Sequence, residues 1–227
     1  MDIRTETEPR RRKLLPEMEG FSARKYAKLR GTEPQLARYR RQAELLTEHL
    51  VEGGSILEVA PGPGYLAVEI ARLGRFQVTG LDISRTFVGL AAELARQAGV
   101  RAHFQHGDAT AMPFAADEFD LIICQAAFKN FVRPVTALNE MHRVLRPGSH
   151  AVIQDMSGQS SNAAIAREVQ AMDVGKVAAF ITRWTLAGLR RRAYSPAQFE
   201  KLARHSTFGA AEISTEGISV EVLLTKH

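Results

Sequence analysis

The sequence predicts an α/β fold: a seven-stranded sheet, mostly parallel with an antiparallel C-terminal strand, helices on both faces, and a helical lid. Three observations carry this. Short apolar runs alternate with helix-period segments through the middle of the chain, the pattern of a parallel sheet with crossover helices. Gly74, Gly99 and Pro147-Gly148 interrupt the helical patterns where right-handed βαβ units need them to stop. The chain then closes with two strand-like runs, 211–214 and 218–225, joined by Thr215-Glu216-Gly217, which reads as a hairpin.

The elements follow in order. Residues 1–20 are polar and charged, with Pro16 and Gly20 breaking any helix, and read as loosely ordered. A helix is expected over 34–51, where Leu36, Tyr39, Ala43, Leu46 and Leu50 recur three to four apart, with Thr32 as its N-cap and Gly53-Gly54 as its stop. Strands are expected over 55–60, 77–81, 102–105, 120–124 and 150–154, with helices over 65–73, 84–98 and 134–145 between them. Residues 157–192 break this rhythm: they are helical in composition and carry Val174, Val177, Phe180, Ile181, Trp184 and Leu189. Ser195-Pro196 opens a further helix, serine as N-cap and proline at its first position. The organisation that results is an N-terminal helical cap (1–50), a core (51–156 and 195–227) and a lid insertion (157–194).

Composition narrows the function class. With 227 residues, 45% hydrophobic and 24% charged, the chain has the make-up of an ordinary soluble domain with a full core. No apolar run is long enough to span a membrane, and the first twenty residues are unlike a signal peptide. A single cysteine, Cys124, precludes an internal disulfide and points to a reducing, cytoplasmic setting. The formal charge of +5 could indicate nucleic acid, but it is concentrated in Arg10-Arg11-Arg12-Lys13, Arg38-Arg40-Arg41 and Arg190-Arg191-Arg192, without interleaved stacking aromatics. Such runs are ordinarily solvated surface, and the pattern argues against a nucleic-acid partner.

The chemistry concentrates at strand ends. Ile56–Ala67 reads ILEVAPGPGYLA, a turn between the first strand and the next helix, where open α/β sheets of Rossmann-like build place ligands. The spacing Gly62-x-Gly64-x-x-Ala67 suits a dinucleotide pyrophosphate as well as other adenosine ligands. Glu58 bears on that choice. A carboxylate repels a pyrophosphate but favours an ammonium or sulfonium, and S-adenosylmethionine carries both cations and no phosphate. Taken alone, Glu58 reads equally well as a strand-end acid paired with an arginine. Asp82, closing Val78-Thr79-Gly80-Leu81-Asp82, sits where its two oxygens can accept from both ribose hydroxyls, whichever adenosine ligand is bound. Asp108, in His106-Gly107-Asp108-Ala109, can accept from an exocyclic adenine amine, with Ile83 and Ala109 against the ring faces.

Together, Glu58-Val-Ala-Pro-Gly-Pro-Gly64, Leu81-Asp82-Ile83-Ser84, Gly107-Asp108-Ala109, Phe119-Asp120-Leu121-Ile122-Ile123 and Arg143-Val144-Leu145-Arg146-Pro147-Gly148 resemble the class I S-adenosylmethionine-dependent methyltransferases, nearest to the small-molecule, ubiquinone/menaquinone-type group. The likeness runs over roughly residues 50–155, and the terminal hairpin is similar to that family's antiparallel seventh strand. It implies Glu58 at the methionine amino end, with the backbone of Ala60, Gly62 and Gly64 lining that end. It also implies Asp82 on the ribose, Ile83, Asp108 and Ala109 about the adenine, and the Gln125 backbone on the methionine portion. Two positions depart from the pattern: Ala60 stands for the usual first glycine, and Ser149 for the second glycine of Pro-Gly-Gly.

Methyl transfer is an in-line displacement that needs alignment more than a general base. Three residues are candidates to face the acceptor: Lys129, where many relatives have part of a histidine pair; Asp155, ending the fifth strand; and Tyr194. The expected reading of Lys129 is nonetheless a solvated lysine, and Asp155 reads alternatively as a cap for the following turn. The Asn/Asp-Pro-Pro-Tyr of base-amine methylases and the Pro-Cys of cytosine-5 methylases are absent, and no metal is expected. Met18, Phe21 and Tyr26 in front, with Met172, Phe180 and Trp184 behind, are expected to give an apolar cover for an aromatic or lipophilic small molecule, although most of them read simply as burying the added helices against the core. A dinucleotide oxidoreductase and a non-catalytic S-adenosylmethionine-binding protein are the rival readings. A homodimer is compatible with either.

Overall fold

The computed structural model describes residues 17–172 and 175–227. Two helices, α1 (Gly20–Arg30) and α2 (Glu33–Thr47), precede the sheet. Strands β1 (Ser55–Val59), β2 (Gln77–Asp82), β3 (Ala102–His106), β4 (Phe119–Gln125) and β5 (Leu145–Met156) alternate with helices α3 (Tyr65–Arg72), α4 (Arg85–Ala98) and α5 (Pro134–Val144). Helices α6 (Asn162–Ala171), α7 (Lys176–Arg190) and α8 (Pro196–His205) follow, then β6 (Glu212–Glu216) and β7 (Ser219–Thr225). The seven strands run in the order β3-β2-β1-β4-β5-β7-β6. β7 is antiparallel to both β5 and β6, and the other pairs are parallel. The expected α/β sheet with its antiparallel ending is therefore present.

Strand alternation divides the core into two layers. Leu57, Val59, Ile122 and Cys124 pack with Leu138 and Met141 of α5 and Phe199 and Leu202 of α8. Ile56, Leu121 and Ile123 face the other way, onto Ala43 of α2, Leu66 and Ile70 of α3, and Ala91 and Ala95 of α4. Both faces of the central strands are buried, which is why they read as continuous apolar runs. Strand order reverses between β1 and β4, and their C-terminal ends open the crevice that holds the site.

The α-helix not anticipated is α1. Gly20 does not break this helix but begins it, in a left-handed conformation with φ +55°. What docks it is tertiary. Glu19 accepts from the Arg85 and Thr86 amides at the start of α4, Gly20 N–H donates to Thr86 Oγ1 at 2.9 Å, and the Tyr65 hydroxyl donates to Ala27 O at 2.8 Å. A carboxylate on those free amides also complements the helix dipole. Residues 1–16, expected to be loosely ordered, lie outside the described residues.

Candidate functional site

A cleft of about 1230 Å³ opens over the C-terminal ends of β1, β2, β4 and β5. Glu58, Ala60, Gly62, Asp82, Ile83, Asp108, Ala109 and Gln125 line it, as do Lys129 and Asp155. Two expected residues do not. Gly64, at φ +81°, has no room for a β-carbon because one would lie 2.6 Å from Ala91 Cβ and 3.2 Å from the Phe104 ring. Its glycine is demanded by backbone conformation and by the close approach of α4. Tyr194 is turned into the core, its ring 5.9 Å from Phe128 and 5.2 Å from Phe199.

Glu58 is buried at 3% exposure. The Ala67 amide donates to its carboxyl, yet Oε2 has no hydrogen-bond partner among the described residues. Burial lifts its pKa to about 8, assisted by the neighbouring Asp82 charge. Among the described residues the pairing with an arginine left open by the sequence is not made: Arg30, which shares the cleft, donates instead to the Tyr39 hydroxyl at 2.8 Å. An orphaned, desolvated carboxylate fits a cationic ligand group and is unsuited to a diphosphate.

Asp82 is held rigidly. Its Oδ2 accepts from Gly62 N–H at 2.9 Å and its Oδ1 from Ser84 N–H at 2.8 Å, which ties the strand tip to the glycine turn. Burial raises its pKa to about 6, partly offset by those two amides. Asp108 is fixed by Thr110, whose amide and hydroxyl reach Oδ1 at 2.8 and 3.0 Å. Ile83 is 44% exposed at the cleft, an apolar surface suited to a planar ring.

Ala60 and Ala126, at the ends of β1 and β4, have φ of +58° and +56°. The reason for glycine at the Ala60 position is therefore conformational. A left-handed alanine costs about 1 kcal/mol or more. Ala60→Gly is therefore expected to stabilise the fold by about 0.5–1 kcal/mol in urea denaturation, after the entropy of the unfolded glycine is set against it. An unchanged or lowered midpoint would contradict this strain.

Lys129 is not solvated. It is buried at 6% exposure, and its Nζ lies 2.8 Å from Asp155 Oδ1 and donates to Ala126 O. Asp155 also accepts from the Lys129 and Met156 amides at 3.0 and 2.7 Å. Beside this pair, Gln125 and Gln42 both donate to Gln154 Oε1, which continues a polar floor toward Glu221. Sequence reasoning missed Arg30, Tyr39, Gln42 and Gln154. Periodicity placed Tyr39 in the core and could not show that its hydroxyl edge reaches the cleft.

The apolar cover is only partly as expected. Met18, Tyr26 and Met172 line the cleft, joined by Leu186 and Leu189 of α7. Phe21, Phe180 and Trp184 do not; they stand 81%, 73% and 77% exposed. Among the described residues, no group of three His, Cys, Asp or Glu side chains could hold a metal ion.

Residues 56–148 match the methyltransferase domain family model. These residues are therefore similar to a methyltransferase domain. The match covers the turn, both acidic strand tips and the α5–β5 junction. The chain is 36% identical over 110 residues to a ubiquinone/menaquinone biosynthesis C-methyltransferase of Geotalea uraniireducens, covering 47% of each chain. The chain spans about half the length of the curated relatives it matches. Among solved structures, a SAM-dependent methyltransferase of Aquifex aeolicus superposes at TM-score 0.65 and 17% identity, covering 90% of this chain and 98% of that one. The [4+2]-cyclase SpnF shares 29% identity at TM-score 0.51, over 54% and 47% of the two chains.

Proposed function

We propose that the protein is an S-adenosylmethionine-dependent methyltransferase acting on a small aromatic or lipophilic acceptor, in the cytoplasm. The observation that carries this reading is Glu58, a buried carboxylate with a free oxygen at the head of the sheet, in one cleft with Asp82 and Asp108. When bound, the cofactor supplies a methyl group already activated on a sulfonium. The chain's own residues then have to bind, orient and exclude water.

Glu58 meets the positively charged amino end. Asp82, pre-set by two amides, accepts from the ribose hydroxyls, while Asp108 and the exposed face of Ile83 receive the adenine. Gln125 and Ala126 border the reacting end, and Lys129 with Asp155 orients the polar end of the acceptor. No proton need be taken from an acceptor whose own pKa is low. The name of the Geotalea relative supports a quinone-like acceptor, and Met172, Leu186 and Leu189 on the cleft wall suit one.

Methyl-labelled S-adenosylmethionine offered with a panel of lipophilic phenols and quinols tests the reading. Label in an acceptor product is expected. Cofactor held tightly with no label transferred to any acceptor would favour a non-methylating role, as the SpnF likeness allows. Asp82→Ala is expected to weaken S-adenosylhomocysteine binding by about 1–3 kcal/mol in calorimetry, through loss of charge-assisted ribose bonds. Unchanged affinity would place the ribose elsewhere.

A further inference from the structure

Helix α7 presents its apolar side chains in two directions. Leu186 and Leu189 line the cleft, whereas Phe180, Ile181 and Trp184 lie on the other side of the helix and stand 73%, 57% and 77% exposed. At 3.6 residues per turn these three form one contiguous stripe. Arg183 and Arg190 stand seven residues apart along its edge, and Arg191 and Arg192 follow directly. Arg190 is anchored on Ser160 O and Asn162 Oδ1, which ties the end of α7 to the start of α6 and leaves Arg183 and Arg191 exposed. From residue 174 to 199 there are five cations and no Asp or Glu, so this segment's charge equals the +5 of the whole chain. No described helix is long and apolar enough to cross a membrane.

We propose that α7 lies on an anionic bilayer surface, with Phe180, Ile181 and Trp184 at the acyl boundary and the arginines among the acidic headgroups. A surface-lying helix needs an apolar stripe carrying Trp and Phe beside a basic edge, and α7 has both. Charge selects this occupant. A face buried against a second copy would set two strongly basic segments side by side, and contiguous Ile and Phe offer nothing to a nucleic-acid backbone. The opposite wall of the same helix borders the cleft, so docking would hold the site one helix away from the phase in which a lipophilic acceptor dissolves. That consequence rests on the proposed function; the docking does not.

Trp184 is the chain's one tryptophan, so its emission reports on this face without labelling. The full chain is mixed with phosphatidylcholine vesicles, with and without about 30% phosphatidylglycerol. Sedimentation and a blue shift of Trp184 are expected with the anionic vesicles, both weakened by salt. Phe180→Ser with Trp184→Ser should cut the sedimented fraction about tenfold, Arg183→Glu with Arg191→Glu about as much, and Trp184→Phe should keep it. Circular dichroism checks that the variants remain folded. An unshifted emission and no sedimentation with anionic vesicles would overturn the proposal. So would a lipid-free blue shift that grows with protein concentration, which places a second copy on the face, or a response to RNA and none to lipid. These readouts need no methyl transfer, so their failure is distinct from failure of the enzymatic reading.

Discussion

Replacing Glu58 with glutamine is expected to stabilise the ligand-free protein at pH 9 by about 3 kcal/mol, and to weaken S-adenosylhomocysteine binding at least about tenfold. The two effects have one cause. Burial raises the Glu58 pKa from 4.5 to about 8. The folded chain therefore holds this proton more tightly than the unfolded chain does. The stability it lends is complete below about pH 4.5 and is lost as the pH rises through about 8. Glutamine does not titrate and escapes that loss, less the cost of amide hydrogens the site does not satisfy. In binding, the order reverses: a positively charged ligand group needs the carboxylate, and the amide cannot supply it. Urea denaturation of both proteins from pH 5 to pH 9 should show curves that diverge with rising pH. Parallel curves would mean that Glu58 titrates normally.

The second large effect lies across the cleft floor. Lys129→Ala leaves Asp155 buried without its counter-charge and is expected to cost about 3 kcal/mol. The Lys129 and Met156 amides continue to donate to Asp155, which keeps the loss from being greater. Lys129→Met combined with Asp155→Leu removes both charges and should be less damaging than the sum of the two single changes. Thermal unfolding of the parent, Lys129→Met, Asp155→Leu and the double variant in a double-mutant cycle measures the coupling. Additive losses, or a Lys129→Ala protein as stable as the parent, would show that the pair contributes no more than a surface contact.

The parallel half of the sheet was legible because buried strands and crossover helices repeat with periods of two and 3.6, and because Gly74 and Gly99 punctuate them. The acidic strand tips were legible from their position after each apolar run. What escaped depends on contacts distant in sequence. Helix α1 is fixed by Thr86 and Tyr65, and nothing local marks it. Lys129 and Asp155 are 26 residues apart, and only the pairing of β4 with β5 brings them together. The packing of Gly64 against Ala91 and Phe104 was likewise invisible in its ligand-binding spacing. Phe180 and Trp184 carry a helical period, but periodicity does not say which face of a helix meets the core.

Calorimetric titration at pH 7 with S-adenosylhomocysteine and with NAD, in two buffers of contrasting ionisation heat, puts the role of Glu58 to the most direct test. The account predicts micromolar binding of S-adenosylhomocysteine with release of about one proton as Glu58 ionises to meet the ammonium, and no binding of NAD. Micromolar binding of NAD with none of S-adenosylhomocysteine would contradict it.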